Sequence, residues 1–225
     1  PPHLFFQPQA GTRDSVASRG LGDVYKRQRY NIRIFTPTQE IPFAGHPVLG
    51  TAYIIQRQFI KKSVSSITLN LAIGQIQVYF EYCEDIVSKL WMEQPDPTFD
   101  TIINPNQVLD FLNLTRLDVV QDLPIQAVSS GLPFIIVPLK NLDAVRRAKI
   151  LSEKYQTFIR DSQAKAILVY CQETYDNQND LNVRMFAPHY GVSEDPATGS
   201  GNGCLASYLI TVSYTHLTLP TNREV

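Results

Sequence analysis

The chain has 225 residues, of which 44% are apolar and 18% charged, a composition typical of a globular protein with a sizeable core. Lys and Arg number 20 and Asp and Glu 21, and this near-zero net charge argues against a nucleic-acid or anionic-membrane partner. No apolar run in the sequence approaches the roughly 20 residues that cross a bilayer. We therefore expect a cytoplasmic protein that binds neither nucleic acid nor membrane.

The cysteines and histidines give no sign of a disulfide framework or a metal site. Three cysteines are widely spaced, at Cys83, Cys171 and Cys204, and the four histidines do not cluster in the sequence. An odd number of unpaired cysteines fits a reducing compartment. We predict that the chain holds no metal.

The two ends of the chain differ in character from the sequence between them. Residues 1–28 show no sustained period of 2 or 3.6 residues, and Gly20–Gln28 and Val212–Val225 look like translated adapter sequence. We therefore predict that residues 1–28 and 212–225 are non-native. A genuine disordered tail at each end is the alternative.

The segment 29–105 is predicted to form a first, β-rich domain. Strands are predicted at Ile32–Phe35, Ile67–Leu71, Ile73–Phe80 and Leu90–Pro95, the second and third of them pairing as a hairpin. A helix is predicted at His46–Ile55, because Pro47 suits a first helical turn. Pro95–Pro105 is rich in proline and is predicted to be a linker.

The segment 106–211 is predicted to form a second domain of the same kind. Helices are predicted at Asn106–Asn113 and around Leu142–Tyr155. Strands are predicted at Ile125–Ser129, Phe134–Leu139, Ala166–Tyr170 and Val183–Phe186. Both halves have the order strand, turn, helix, strands, so the sequence predicts an internal duplication.

A pattern of Arg-apolar-Phe-x-Pro occurs twice, and each copy precedes a turn of small residues and a predicted helix. The first copy is Arg33–Pro37, followed by Pro42–Ala52; the second is Arg184–Pro188, followed by Glu194–Cys204. Backbone N–H groups at a helix start lack intrahelical acceptors, and the helix dipole adds partial positive charge there. The pair of turns therefore predicts a pocket for a small anion.

The second turn contains more glycine than a helix cap needs, at Gly199, Gly201 and Gly203. One interpretation is that Asp195 or Thr198 simply caps the helix. The other is that the glycines let a ligand approach the backbone closely, with Ser200 adding a hydroxyl donor. The spacing fits neither a Gly-x-Gly-x-x-Gly fingerprint nor a P-loop, so a nucleotide site is disfavoured.

The first turn places His46 between Gly45 and Pro47. A lone histidine is usually a satisfied surface or core residue, and that interpretation stays open. Its position at a glycine-flanked helix start also suits a donor to a carboxylate or a proton carrier near neutral pH. Three acids without an evident partner in the sequence are predicted to be solvated: Glu40, Glu93 and Glu194.

Two long motifs resemble the PhzF family, the phenazine-biosynthesis-like group of the diaminopimelate-epimerase superfold. They are residues 34–37 with Pro42–Ala52, and Gly191–Ser200; Ser130–Phe134 resembles the family too, and the likeness covers roughly residues 30–210. The resemblance implies an α+β fold of two pseudo-repeated domains, each a β-barrel-like sheet around a central helix, both incomplete here. It implies a site in the cleft between the domains and is compatible with a homodimer.

The resemblance also implies an isomerase that moves a proton on a small carboxylated substrate without a metal or an organic cofactor. By position, His46 and Asp195 match the family's catalytic residues, which orient the substrate and assist proton movement. The matching substrate-binding residues are Gly45, Gly199 and Ser200. In that scheme the Gly199 amide and the Ser200 hydroxyl hold polar groups of the substrate.

Two departures from the pattern bear on the chemistry. Related racemases carry a cysteine in each loop, where this chain has Ala44 and Thr198, so two-thiol racemisation is not expected; Cys204 is interpreted as a packing residue. The family's acid–base glutamate lies in an N-terminal Asn-x-Ser-Glu-Thr-like stretch, and residues 1–28 contain no glutamate. We expect little or no isomerase activity from this chain. The alternative is a non-catalytic protein of the same fold that binds a small anion or a partner.

Overall fold

The computed structural model describes residues 29–216, with side chains described as far as Val212. The chain divides into two compact units, unit 1 ending at Pro95 and unit 2 beginning at Asp96. The segment 1–28, predicted to be non-native, lies outside the described residues. Among residues 29–216, no helix combines the length and apolarity that crossing a bilayer requires.

Unit 1 consists of a sheet with a helix packed on it. Its strands are β1 (Arg29–Asn31), β2 (Ile34–Phe35), β3 (Glu40–Ile41), β4 (Ser66–Leu71), β5 (Gly74–Cys83) and β6 (Ile86–Met92). Helix α1 (Gly45–Ile54) continues as a π-helical segment, Ile55–Ile60. The sheet has the order β1-β4-β5-β6, in which β1 runs parallel to β4 and the other neighbours are antiparallel, while β2 pairs with β3.

The core of unit 1 forms because one stripe of α1 is apolar. Val48, Ala52 and Ile55 follow one another at helical spacing, and all three are fully buried. They share a cluster with the inward residues of β4 and β5, such as Leu69 and Val78. The start of α1 is therefore held against the sheet.

Sequence patterns predicted part of unit 1. The hairpin of β4 and β5 is confirmed, and Gly74 adopts φ 122° at its turn, a conformation that favours glycine. The single strand predicted at Ile32–Phe35 is wrong. The chain breaks there because β1 bonds to β4, whereas β2 turns back onto β3 through a turn in which the Thr36 amide donates to Gln39.

Unit 2 is built on a longer sheet. Its strands are β7 (Thr98–Ile102), β8 (Gln126–Ser129), β9 (Pro133–Pro138), β10 (Ala166–Cys171), β11 (Asn182–Ala187) and β12 (Val192–Asp195). Its helices are α2 (Pro105–Leu112), α3 (Leu142–Arg147), α4 (Ser152–Ile159) and α5 (Gly199–His216). The sheet has the order β12-β11-β10-β9-β8-β7, with β9 and β10 parallel and the other neighbours antiparallel.

Helices cover both faces of this sheet. Every residue of β10 is buried, and its side chains alternate between two clusters. Ile167 and Val169 pack with residues of α2, α3 and α4, whereas Leu168 and Tyr170 pack with residues of α5. A strand buried on both faces carries a continuous apolar run, as the sequence of β10 does. Both units thus mix strands and helices, as the predicted α+β class requires.

Two predictions for unit 2 differ from the structure. The predicted linker Pro95–Pro105 contains β7, which pairs with β8, so unit 2 begins before the predicted border at residue 105. The single helix predicted at Leu142–Tyr155 is two helices, because the chain between them bonds to α2 through the amides of Lys149 and Leu151. The segment predicted to be non-native at the C-terminal end begins at Val212, which is buried on α5, and its residues 217–225 lie outside the described residues.

Candidate functional site

The first loop leads directly into α1. Phe43 and Val48 flank the helix start and are both fully buried in one cluster, an arrangement that fixes the direction in which the chain enters a helix. Ala44 occupies the N-cap in an extended conformation, and its side chain makes no capping hydrogen bond. Gly45 is buried and His46 is exposed. The imidazole of His46 therefore stands at a helix start that no side chain of the N-cap closes.

The second loop leads into α5 and contains two side-chain hydrogen bonds. Thr198 precedes the first helical residue, and its Oγ1 accepts from the Gly201 amide at 3.2 Å, which confirms Thr198 as the cap. Asp195 does not cap the helix. Its Oδ1 accepts from the Ala197 amide at 3.1 Å and closes a turn before the helix begins.

The glycines of this loop have different structural roles. A Cβ atom on Gly201 would lie 2.7 Å from Thr198 Oγ1 and 2.9 Å from Leu168 Cδ1, so Gly201 is required by packing between α5 and the sheet. A Cβ atom on Gly199 would meet nothing within 4 Å. The Gly199 amide is the first of α5 and has no intrahelical acceptor. Close approach of a ligand is therefore feasible at Gly199, whereas Gly201 serves the fold.

Cys204 lies on α5 beneath the loop and is fully buried. Its Sγ is 3.4 Å from Ser130 Oγ, and burial raises the pKa of the Cys204 thiol, so the thiol stays protonated at neutral pH. Ser130 belongs to the turn between β8 and β9, next to Gly131 with φ 124°. These contacts tie that turn to α5, in agreement with the interpretation of Cys204 as a packing residue.

The three acids predicted to be solvated are exposed, as expected, but each also has a hydrogen-bond partner. Glu40 accepts from Arg33 at 2.9 and 2.6 Å, and Glu93 accepts from the Tyr79 hydroxyl at 2.8 Å. Glu194 accepts from Arg184 at 2.8 Å on both oxygens, and this pairing lowers the pKa of the Glu194 carboxyl. A feature of the sequence pointed to two of these pairs: Arg33 and Arg184, the partners of Glu40 and Glu194, are each the first residue of a copy of the repeated motif.

The predicted site residues divide between the units. Gly45 and His46 belong to unit 1, whereas Asp195, Gly199 and Ser200 belong to unit 2, where the structure brings them together at the start of α5. Within residues 29–216, no group of three or more His, Cys, Asp and Glu side chains is arranged to hold a metal ion.

Comparison with known proteins assigns a family. Residues 21–220 match the PhzC-PhzF family, described as "Phenazine biosynthesis-like protein". The trans-2,3-dihydro-3-hydroxyanthranilate isomerase of Pseudomonas aeruginosa is 31% identical over 194 residues, covering 86% of this chain and 63% of that protein. An uncharacterized isomerase of Mesorhizobium japonicum is 27% identical over 206 residues, covering 87% of this chain and 65% of its own length. The chain thus spans less than two thirds of these relatives.

Solved structures agree with this assignment. The Bacillus anthracis phenazine biosynthesis protein of the PhzF family superposes with a TM-score of 0.67 at 29% identity, covering 80% of this chain and 61% of that one. A probable proline racemase from Agrobacterium radiobacter K84 superposes with a TM-score of 0.56 at 11% identity, covering 86% of this chain and 58% of that one, which shows a likeness of fold alone. The chain belongs to the PhzF, or phenazine biosynthesis-like, family.

Proposed function

We propose that this chain is part of a PhzF-type isomerase that acts on a small carboxylated substrate without a metal or organic cofactor, and that the His46 loop of unit 1 and the Asp195 loop of unit 2 each supply substrate-binding residues. The observation that carries this proposal is that the family match includes two helix starts, and that the residues at each of them match the family's site positions. The family match, over residues 21–220, includes both loops, and similar proteins are named as isomerases. Helix starts favour anions, because their N–H groups and the helix dipole present partial positive charge.

Each residue has a role that its surroundings suit. The exposed imidazole of His46 can donate a hydrogen bond to a substrate carboxylate or carry a proton near neutral pH. The Asp195 carboxylate, oriented by the Ala197 amide, can accept from a hydroxyl or amino group. The Gly199 amide can hold a further polar group, because there is open space beside Gly199. Ser200 is buried, and its proposed role as a substrate-binding residue rests on the family resemblance.

The pseudo-repeat of the two units is part of the proposal. Arg33 lies 4.8 Å from the centre of the Phe35 ring and pairs with Glu40 on the neighbouring strand. Arg184 likewise lies 4.8 Å from the centre of the Phe186 ring and pairs with Glu194 on β12. The same strand motif thus makes the same side-chain arrangement in both units, which favours a common origin.

We also propose that the 225-residue chain binds its substrate without converting it. The family resemblance implies a glutamate as principal acid–base, and residues 1–28, where that residue would lie, contain none. The alternative is a binding or interaction protein of the same fold. The two proposals differ in one expectation: only the first expects a form of the protein that carries the glutamate to perform the isomerisation.

Two glycines on one helix provide the test. The probe is trans-2,3-dihydro-3-hydroxyanthranilate, the carboxylated compound in the name of the Pseudomonas aeruginosa relative. We expect Gly199→Ala to weaken its binding about 10-fold, because the methyl group enters space left for the ligand. The free energy of unfolding should be unchanged or up to about 1 kcal/mol higher. Gly201→Ala should instead lower the free energy of unfolding by about 1–3 kcal/mol, since its methyl group overpacks against Leu168 and Thr198. Calorimetric titration and urea unfolding measure the two effects.

Gly50→Ala is the matched control. A Cβ atom at Gly50, in the middle of α1, meets nothing within 4 Å, so this change should raise stability by about 0.5–1 kcal/mol and leave affinity alone. Equal affinity in the wild-type protein and Gly199→Ala would contradict a ligand site at the start of α5.

A further inference from the structure

The guanidinium of Arg184 joins three parts of unit 2. Its Nε and Nη2 donate to both oxygens of Glu194 at 2.8 Å. Its Nη1 donates to the backbone carbonyls of Val145 at 2.7 Å and Ala148 at 2.9 Å, where α3 ends. Its Cζ lies 4.8 Å from the centre of the Phe186 ring. A planar guanidinium can satisfy these acceptors together, and its positive charge suits the carbonyl end of a helix.

The pair lies where the strand pairing before the loop is irregular. A register shift between β11 and β12 leaves Ser193 and Glu194 facing Phe186 alone. Such a bulge turns the strand and re-aims the residues beside it, and its geometry is not set by the backbone ladder alone. Glu194 belongs to the bulge, and the next residue is Asp195. Anchoring Glu194 to α3 therefore fixes the backbone from which the Asp195 carboxylate projects.

Unit 1 contains a weaker version of the same pair. Arg33 bonds both oxygens of Glu40, but within residues 29–216 it donates to no backbone carbonyl. The Arg33 side chain is 68% exposed, against 27% for Arg184. Exposed ion pairs contribute little, because water screens them and long side chains lose entropy. We therefore expect the Arg184–Glu194 pair to stabilise its loop more than the Arg33–Glu40 pair does.

We propose that Arg184 and Glu194 are positioning residues: they hold the bulge of β12 so that Asp195 and the Gly199 amide keep the geometry that binds the substrate. This assignment rests on the proposed function of the Asp195 loop. It adds two residues that do not touch the substrate and act through the loop alone.

Amide hydrogen exchange in the full chain tests the positioning role directly. In Arg184→Met, we expect the Ala197 amide, which donates to Asp195, to exchange about 10-fold faster, with the amides of β10 unchanged. Glu194→Gln should act in the same direction, and adding it to Arg184→Met should change little further, because Arg184→Met already removes the pair with Glu194. Arg184→Lys should not restore protection, since an ammonium cannot present the guanidinium fork. Arg33→Met is the matched control and should leave the Ala197 amide unchanged.

Affinity separates positioning from mere support of the fold. The same variants should bind trans-2,3-dihydro-3-hydroxyanthranilate about 10-fold more weakly, whereas Arg33→Met should differ from the wild-type protein by less than about 2-fold. Unchanged exchange at Ala197, or faster exchange with unchanged affinity, would overturn the assignment. If the wild-type protein does not bind this compound, the proposed function fails, and exchange alone then decides whether Arg184 holds the loop. Glu194→Gln keeps the test valid if Arg184→Met does not fold.

Discussion

Replacing Tyr208 with alanine is expected to lower the free energy of unfolding by about 3–5 kcal/mol. Tyr208 is fully buried on α5, packs edge-on against Tyr170 with ring centres 6.1 Å apart, and donates its hydroxyl to the Pro124 carbonyl at 2.7 Å. Alanine would leave a large cavity between α5 and the sheet and would leave the Pro124 carbonyl without this donor. Urea unfolding followed by circular dichroism measures the change.

Two variants of the same helix bracket this effect. Tyr208→Phe removes only the hydroxyl and should lower the free energy of unfolding by about 0.5–1.5 kcal/mol. Ile210 is 59% exposed, so Ile210→Ala should change it by less than about 0.5 kcal/mol. A loss below 1 kcal/mol in Tyr208→Ala would mean that α5 does not pack on the sheet as described.

Replacing Asp195 with asparagine is expected to weaken the binding of trans-2,3-dihydro-3-hydroxyanthranilate about 10- to 150-fold. Asparagine keeps the Oδ1 that accepts from the Ala197 amide, so the turn should persist while the negative charge is lost. A hydrogen bond to a charged group contributes about 1.5–3 kcal/mol, which corresponds to that range of affinity.

The control for Asp195 removes an equal charge elsewhere in unit 2. Asp122 is exposed, so Asp122→Asn should leave affinity within about 2-fold of the wild-type value. Unfolding curves for both variants should coincide with that of the wild-type protein. If Asp195→Asn binds as tightly as Asp122→Asn, the Asp195 carboxylate has no part in substrate binding.

The elements with strong local signals were predictable from sequence. The β4–β5 hairpin alternates clearly, and β10 is a continuous apolar run. β7 was missed because the prolines that flank it are typical of a linker. It is a strand at the edge of the sheet only because it pairs with β8, and the local sequence does not reveal that pairing. The break between α3 and α4 arises from bonds to α2, which local propensity does not reveal.

The sequence predicted the two loops that lead into α1 and α5, with His46 and Asp195 as candidate site residues. Sequence alone left open whether Thr198 caps α5 and which glycine the fold requires. Glu194 is exposed, as expected, but its bond to Arg184 was not predicted, because the two residues become adjacent only through the pairing of β11 with β12. The register of strand pairing decides such contacts.

The most direct test of the central claim is a titration of the 225-residue chain with trans-2,3-dihydro-3-hydroxyanthranilate in metal-free buffer, with the mixture followed by proton NMR. We expect saturable binding that depends on His46 and Asp195, with no conversion above the rate in buffer. Conversion by this chain would show that the acid–base lies elsewhere than in the glutamate that the family resemblance implies. The absence of saturable binding would contradict the assignment of the two loops to a carboxylated substrate of this kind.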